Sequence, residues 1–304
     1  LVHLSVFVCM QIAALAVEGG TPAFPNGGED FHVAAMPPPG WYGLLYSSRY
    51  RADFLANDSG DRAVAGFGLT VAAITPRLDW VKPASILGAD RWGTLFIVPL
   101  LDIDLSVTPA PGVSIQGRRR AFGDLTIGNG LHWTLPNFDM INSADVVIPL
   151  GSYNAKRPVN TGLHRWAVRV SHMGTWRPAP RWDVSYRLHT DFNFRNSATD
   201  YTSGQTVYLN VAVGWNPRPA TTLGLTGYSL RQLTDDRQFG RSAGLNGNHV
   251  RVDGIGPGVK HVFPNHVMLV AKYFREFNVR NAPKGEQFWL YAAMPLGGPP
   301  KGEK

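Results

Sequence analysis

The sequence predicts an all-β fold, an antiparallel transmembrane β-barrel of about 12 strands. Three observations lead there. Between Gly40 and Leu296 the chain alternates apolar and polar residues in stretches of roughly ten, the length a tilted strand needs to cross a bilayer. The connections sort by parity: those after even-numbered stretches are short, apart from a somewhat longer "PRLDWVKPAS" link after the second, and most of those after odd-numbered ones are long and polar. Trp80, Trp133, Trp176, Trp182 and Trp215 all stand near the short connections, as an interfacial aromatic girdle does. Ordinary core aromatics are the alternative reading of those five.

Composition narrows the class. The 304 residues are 44% hydrophobic by count and include 33 Gly and 23 Pro, and amphipathic helical stretches are nearly absent beyond the N-terminus. The aromatic content of 11% excludes a disordered chain, and the length allows one large all-β domain or two ordinary ones. The formal charge of +7 is scattered. Its one run, Arg118-Arg119-Arg120, lies in a Gly/Pro-rich stretch and reads as a solvated loop, not a nucleic-acid patch. A basic loop of that kind also suits anionic lipid headgroups. The single cysteine, Cys9, lies in a segment expected to be removed, which excludes disulfides and cysteine-ligated metals from the mature chain.

The apolar run "LVHLSVFVCMQIAALA" ends in Ala14-Leu15-Ala16, with small residues where a secretory cleavage site needs them. Residues 1–16 are therefore expected to be a signal remnant, although no Lys or Arg precedes the run. A buried first strand is the alternative. Val8 is too large for Cys9 to be a lipoprotein site.

Strands are expected at about 41–52, 63–75, 86–107, 122–134, 137–149, 166–174, 181–191, 204–215, 221–234, 250–262, 266–279 and 286–296. "RWDVSYRLHTD" puts Trp182, Val184, Tyr186 and Leu188 on one face. "TVYLNVAVGW" does the same with Val207, Leu209, Val211, Val213 and Trp215. These faces should meet lipid. In the first strand Leu44, Tyr46 and Tyr50 are expected to face lipid, with Arg49 and Arg51 in the lumen. Asp124, Arg169, Asp183, Arg187, Asp191, Tyr208 and Asn210 are also expected to line the lumen.

No stretch fits a catalytic or metal site, so an enzyme is not expected. Asp183, His189 and Asp191 share a face, but alternating polar residues are ordinary on a lumen-facing strand. Ser171 and His172 are adjacent on a strand and so point apart, which opposes nucleophilic catalysis. "GIGPGV" at 254–259 has no following helix and reads as a bulge or a break in pairing, not a phosphate loop.

Several blocks then carry a resemblance. "VEGGTPAFPNGGEDFHVAAMPPPGWYGLLY" resembles the mature N-terminus of the SphA-like, or "MetA-pathway of phenol degradation", family of bacterial outer-membrane channels. "GDL" at 123–125, the Pro149-x-Gly151-x-Tyr153 block, "DYTSGQ" at 200–205, "LGLTGYSLRQLTDD" at 223–236 and "GIGPGV" agree. Leu150, in place of an expected threonine, and the tail "GGPPKGEK" depart from the pattern.

The resemblance implies a monomeric barrel in the bacterial outer membrane with an N-terminal segment inside the lumen. It assigns residues 17–40 to that plug, 41–296 to the barrel and 297–304 to a tail. Phe24, Pro25, Asp30, Phe31, Pro37, Pro38, Pro39 and Gly40 are its plug and hinge candidates. It implies passive uptake of small hydrophobic molecules and sideways exit where prolines interrupt the wall, with Pro99, Pro149 and Pro257 as candidates. Strand ends or bulges without a transport role explain those prolines equally well. Outer-membrane lipid and lipopolysaccharide are the expected surroundings, with no cofactor. A diffusion channel for small polar or charged solutes, and a secreted soluble carbohydrate-binding β-protein, are the alternatives.

Overall fold

Inside hydrocarbon every backbone N–H and C=O needs a partner within the protein, and a closed ladder of strands supplies them. In the computed structural model, which describes residues 25–244 and 246–297, the chain meets this demand with twelve antiparallel wall strands. They are β1 (Gly40–Leu55), β2 (Gly66–Pro83), β3 (Arg91–Ile97 continuing as Leu100–Ala110) and β4 (Val113–Phe122 continuing as Leu125–Leu135). Then come β5 (Phe138–Ile148), β6 (Ala167–Ala179), β7 (Trp182–Asn193) and β8 (Thr206–Arg218). The last are β9 (Thr221–Gln232), β10 (Arg251–Val262), β11 (Met268–Arg280) and β12 (Pro283–Leu296). Each strand pairs with its sequence neighbour, and β1 closes the ring on β12 through pairs such as Tyr46↔Tyr291. Residues 1–16, Phe24 and the tail beyond Gly297 lie outside the described residues.

Each expected strand has its counterpart, with two misread connections: β2 runs on to Pro83, well past its expected end at 75, and one long loop is strand. "TPAPGVSIQGRRRA" is not a long loop: Val113–Phe122 is strand, and the turn is confined to Pro111 and Gly112 (φ +77°). The arginine run hid a period of two. Arg118 and Arg120 are exposed, and Arg119 points inward to donate to Ser152 Oγ at 2.7 Å.

The faces of β7 and β8 fall as their alternation predicts, with Leu188, Leu209, Val213 and Trp215 exposed and Asp183, Arg187, Tyr208 and Asn210 buried. Strand β1 is reversed. Arg49 and Arg51 are exposed on the outer wall and do not line the lumen, whereas Tyr46, Ser48 and Tyr50 line the interior. The reason is hydrogen bonding. Tyr50 Oη donates to Glu276 at 2.8 Å, Arg77 donates to Tyr46 Oη at 3.4 Å, and the Tyr46 ring packs 4.6 Å from that of Tyr291. Lipid offers a phenol no such partner.

Trp80, Trp176, Trp182 and Trp215 are exposed at the short-turn end. Trp133 is half-buried there and donates to Leu87 O at 3.1 Å. Trp41, stacked on Trp80 at 5.5 Å, joins them. One polar cluster sits on the outer wall at mid-strand, where His172 bridges Asn142 Oδ1 (2.8 Å) and Tyr186 Oη (2.9 Å). Ser171 points inward and is buried, so the two residues of the pair point apart.

At the long-loop end, the β7–β8 and β9–β10 loops join through four two-residue strands between Arg195 and Ser242. The buried Asp236 carboxylate ties them, accepting from Tyr201 Oη (2.6 Å), Gly204 N (2.7 Å) and Gln232 Nε2 (3.1 Å). A Cβ at position 204 would lie 2.0 Å from Thr234 O, so only glycine fits.

The wall leaves a long strand edge unpaired at one place among the described residues. Strand β3 breaks at Val98–Pro99 and β4 at Gly123–Asp124. Strand β5 pairs only with the lower half of β4, from Leu125↔Ile148 to Leu135↔Phe138. The outer half, Val113–Phe122, pairs with β3 on one edge and with no strand on the other among the described residues. The 149–166 loop, which starts at Pro149, crosses that free edge. Asp124 holds it: its two carboxylate oxygens accept from Gly151 N and Leu163 N, each at 2.8 Å. Asp124 thus clamps the loop while also lining the interior at this point. Pro257 lies elsewhere, where the β10–β11 ladder skips from Ile255↔Arg275 to Gly258↔Lys272. Asp124→Ala is expected to lose about 2–4 kcal/mol from two charge-assisted bonds. The urea midpoint of heat-modifiable gel migration will fall, and protease will cut the 149–166 loop.

Candidate functional site

The interior is divided by the N-terminal segment. Residues 25–39 cross the barrel and separate a cavity of about 300 Å³ toward the long loops from one of about 410 Å³ toward the short turns. Glu29, Tyr46, Arg77, Leu95 and Arg187 border both.

Charge positions the segment. Glu29 and Asp30 are adjacent carboxylates, and inward-facing cations from four strands converge on them. Arg187 of β7 pairs with Glu29. Lys272 of β11 donates to Gly27 O (2.7 Å) and Glu29 O (2.8 Å) and lies 3.6 Å from Asp30 Oδ2. Tyr291 Oη donates to Asp30. Arg77 of β2 and Lys260 of β10 add to the field at Glu29 and Asp30 respectively. A cation enclosed in a barrel is costly unless paired, so wall and segment each satisfy the other.

Backbone and packing contacts extend the seat. His32 N donates to Ser185 Oγ (2.8 Å), Ala34 N to Thr175 Oγ1 (3.1 Å) and Arg91 to Met36 O (2.8 Å). Phe31 is buried against Gly224 and Gly258, where an added Cβ would come within 2.8 and 3.0 Å of its ring. Pro25, Pro37 and Pro38 line the cavities, and Tyr42 Oη donates to Pro38 O at 2.7 Å, tying Pro37, Pro38 and Pro39 to the start of β1 at Gly40.

The remaining inward side chains are buried in their own networks. Arg169 grips Asp191 with two bonds (2.6 and 2.9 Å) and lies over the Tyr208 ring, which stacks on His189 at 4.6 Å. Asp183 accepts from Asn216 at 3.1 Å and sits 3.5 Å from His32 Nε2. Asn210 is buried beside them in β8. Glu29, Arg77, Lys260, Lys272, Glu276 and Tyr291 are functional candidates that the sequence reading did not single out. Lys272 was within reach: in "MLVAKYFREF" it alternates with Val270 and Phe274 on the inward face.

The upper cavity is apolar over one side, where Leu69, Val71, Leu95, Ile97, Leu101 and Ile103 project from β2 and β3. It reaches the wall discontinuity at Pro99, Asp124, Thr161 and Leu163.

With this geometry in hand, a family model described as "Putative MetA-pathway of phenol degradation" matches residues 52–291. The chain belongs to this family. None of the curated proteins matches it. Among solved structures it is similar to the COG4313 outer membrane channel from Pseudomonas putida F1, with TM-score 0.77, 18% identity, and coverage of 90% of this chain and 100% of that one. It is also similar to the beta domain of the Bordetella autotransporter BrkA, with TM-score 0.50, 12% identity, and coverage of 84% and 99%. The family member's closed barrel, with its apolar outer face and parity-sorted loops, is a bacterial outer-membrane architecture.

Two outcomes follow. Lys272→Met leaves Asp30 and two carbonyls without their cation, at a cost of about 3–5 kcal/mol to docking; single-channel recordings in planar bilayers will show the open-to-closed ratio rise by about a hundredfold or more. His32 provides a pH handle. Burial, with the nearby Lys260 and Arg177 cations, pushes its imidazole down to about 3 despite Asp183. A released segment regains a pKa of about 6.5 and takes up a proton that the docked one refuses. Docking through His32 therefore weakens as pH falls from about 6.5 toward 3, by up to roughly tenfold per unit. Burial, opposed by Lys272, raises the Asp30 carboxyl, and that group acts with the opposite sign. Open fractions of wild type and His32→Gln measured between pH 7 and 5 separate the two, and the wild type alone will show the His32 component.

Proposed function

We propose that this protein takes up small hydrophobic molecules by passive diffusion across the outer membrane and releases them sideways into the bilayer. The observation that carries this reading is the apolar cavity of about 300 Å³ beside the wall discontinuity. A hydrophobic solute entering from the long-loop side meets Leu69, Val71, Leu101 and Ile103 first, and then the charged segment at Glu29 beneath. Crossing that floor means desolvation against ion pairs, whereas leaving past Pro99 and Leu163 keeps the solute in apolar contact. Pro99 and Pro149 both border this exit, which supports a transport role for them; Pro257 lies away from it. Residues 25–39 act as a plug that closes the axial route to polar solutes. The outer-membrane channel from Pseudomonas putida F1, whose fold this chain shares, supports the channel reading. Trp41, Trp80, Trp176, Trp182 and Trp215 serve as the periplasmic interfacial girdle.

The exit can be stapled. An ideal Cβ on Gly117, in the free edge of β4, falls 3.6 Å from Pro158 Cβ in the covering loop, within the range a disulfide spans. In Gly117→Cys with Pro158→Cys, oxidation is expected to slow entry of N-phenylnaphthylamine into cells at least tenfold, and reductant to restore it. Uptake that ignores the staple refutes lateral exit, and liposome swelling with sugars at wild-type rates would favour a polar diffusion channel.

A further inference from the structure

The outer wall near the long loops carries arginines that transport does not use. Residues directly paired across a ladder share a face, so the registers define rows around the outside. One row runs Arg275↔Glu286↔Arg51↔Thr70↔Asp104↔Arg118, from β11 through β12, β1, β2 and β3 to β4. The next runs Tyr273↔Phe288↔Arg49↔Ala72↔Asp102↔Arg120. All five arginines are exposed.

Two of the three carboxylates in these rows, Asp102 and Glu286, have partners close by. Arg118 grips Asp102 with two bonds (3.0 and 2.8 Å), and Tyr273 Oη donates to Glu286 at 2.7 Å. Arg49, Arg51, Arg120 and Arg275 make no hydrogen bond or ion pair among the described residues. Asp53 and Asp104, also exposed, temper the field without pairing to them. The inward arginines behave differently: Arg77, Arg169 and Arg187 each hold a carboxylate.

Height and sidedness identify the ligand. At about 3.3 Å per residue and a tilt of ~40°, Arg49 and Arg51 stand roughly 23–28 Å above Gly40, level with the top of an apolar band ~25 Å tall. Arg275 stands a little lower and can snorkel upward. Arg120, on the outer half of β4, stands higher. The far wall at its long-loop end carries Trp166, Val168, Phe192 and Phe194, and the cations there, Arg195, Arg231 and Arg251, lie against Asp200 and Asp253. What is confined to one side is therefore the set of outward arginines without a carboxylate partner among the described residues.

We propose that the outer face of β11, β12 and β1–β4 binds the phosphorylated glycolipid of the outer leaflet. Its acyl chains lie along Leu45, Phe288 and Leu290, its lipid phosphates meet Arg49, Arg51 and Arg275, and phosphates of its saccharide meet Arg120. Guanidinium suits this because its planar donor fork takes two phosphate oxygens at once. The lipid beside the wall discontinuity is then a held molecule and not free bilayer.

The test titrates detergent-solubilised wild type with rough lipopolysaccharide and with the same glycolipid after dephosphorylation, reading complexes by native mass spectrometry. The phosphorylated form is expected to bind at least tenfold more tightly. Arg49→Gln, Arg51→Gln and Arg275→Gln together should lose at least tenfold, whereas Arg195→Gln with Arg237→Gln in the loops should lose nothing. Equal binding of the two glycolipids, equal binding of the triple variant, or equal binding of phosphatidylglycerol overturns the proposal. If the triple variant fails to fold, the wild-type comparison of the glycolipids decides alone.

Discussion

The requirement that hydrocarbon imposes on a backbone governs this molecule. Each wall strand must find two neighbours, and the ring closes because β1 pairs with both β2 and β12. The departures from that rule are therefore informative. At the outer half of β4 the ladder stops, and the backbone groups there turn to a loop instead: Phe122 O accepts from Ser152 N (3.2 Å) and Thr161 Oγ1 (2.9 Å). A loop can leave an edge at far lower cost than a strand can leave a sheet, and the proposed lateral exit uses this place.

A closed ring of twelve strands encloses more space than its side chains fill. The chain fills it with its own N-terminal segment, held by opposite charge. Glu29 and Asp30 are enclosed carboxylates whose partners come from strands far apart in sequence, Arg187 and Lys272 among them. The outward arginines Arg49, Arg51, Arg120 and Arg275 have no such partner among the described residues, and the proposed glycolipid phosphates would supply it.

The blocks that carry the family resemblance turn out to be joints. Gln232 and Asp236 lock the loop cap, Asp124 and Gly151 clamp the covering loop, and Gly258 makes room for Phe31. Only Asp124 of these lines the upper cavity, whose apolar side is built from ordinary aliphatic residues. Such residues leave no motif, because any side chain of suitable size serves.

Alternation by itself determined the strand count, the order and the faces of strands such as β7 and β8, since a period of two is a local property of an extended chain. It could not decide which face of β1 looks inward, because both faces hold residues that suit a rim. Tyr46 and Tyr50 face in only because Arg77 and Glu276 wait there on other strands, and Arg49 and Arg51 are left outside. The seat of the N-terminal segment and the free edge of β4 were decided the same way. Both depend on contacts such as Lys272 with Asp30 and Asp124 with Leu163, and only closure of the barrel brings those groups together.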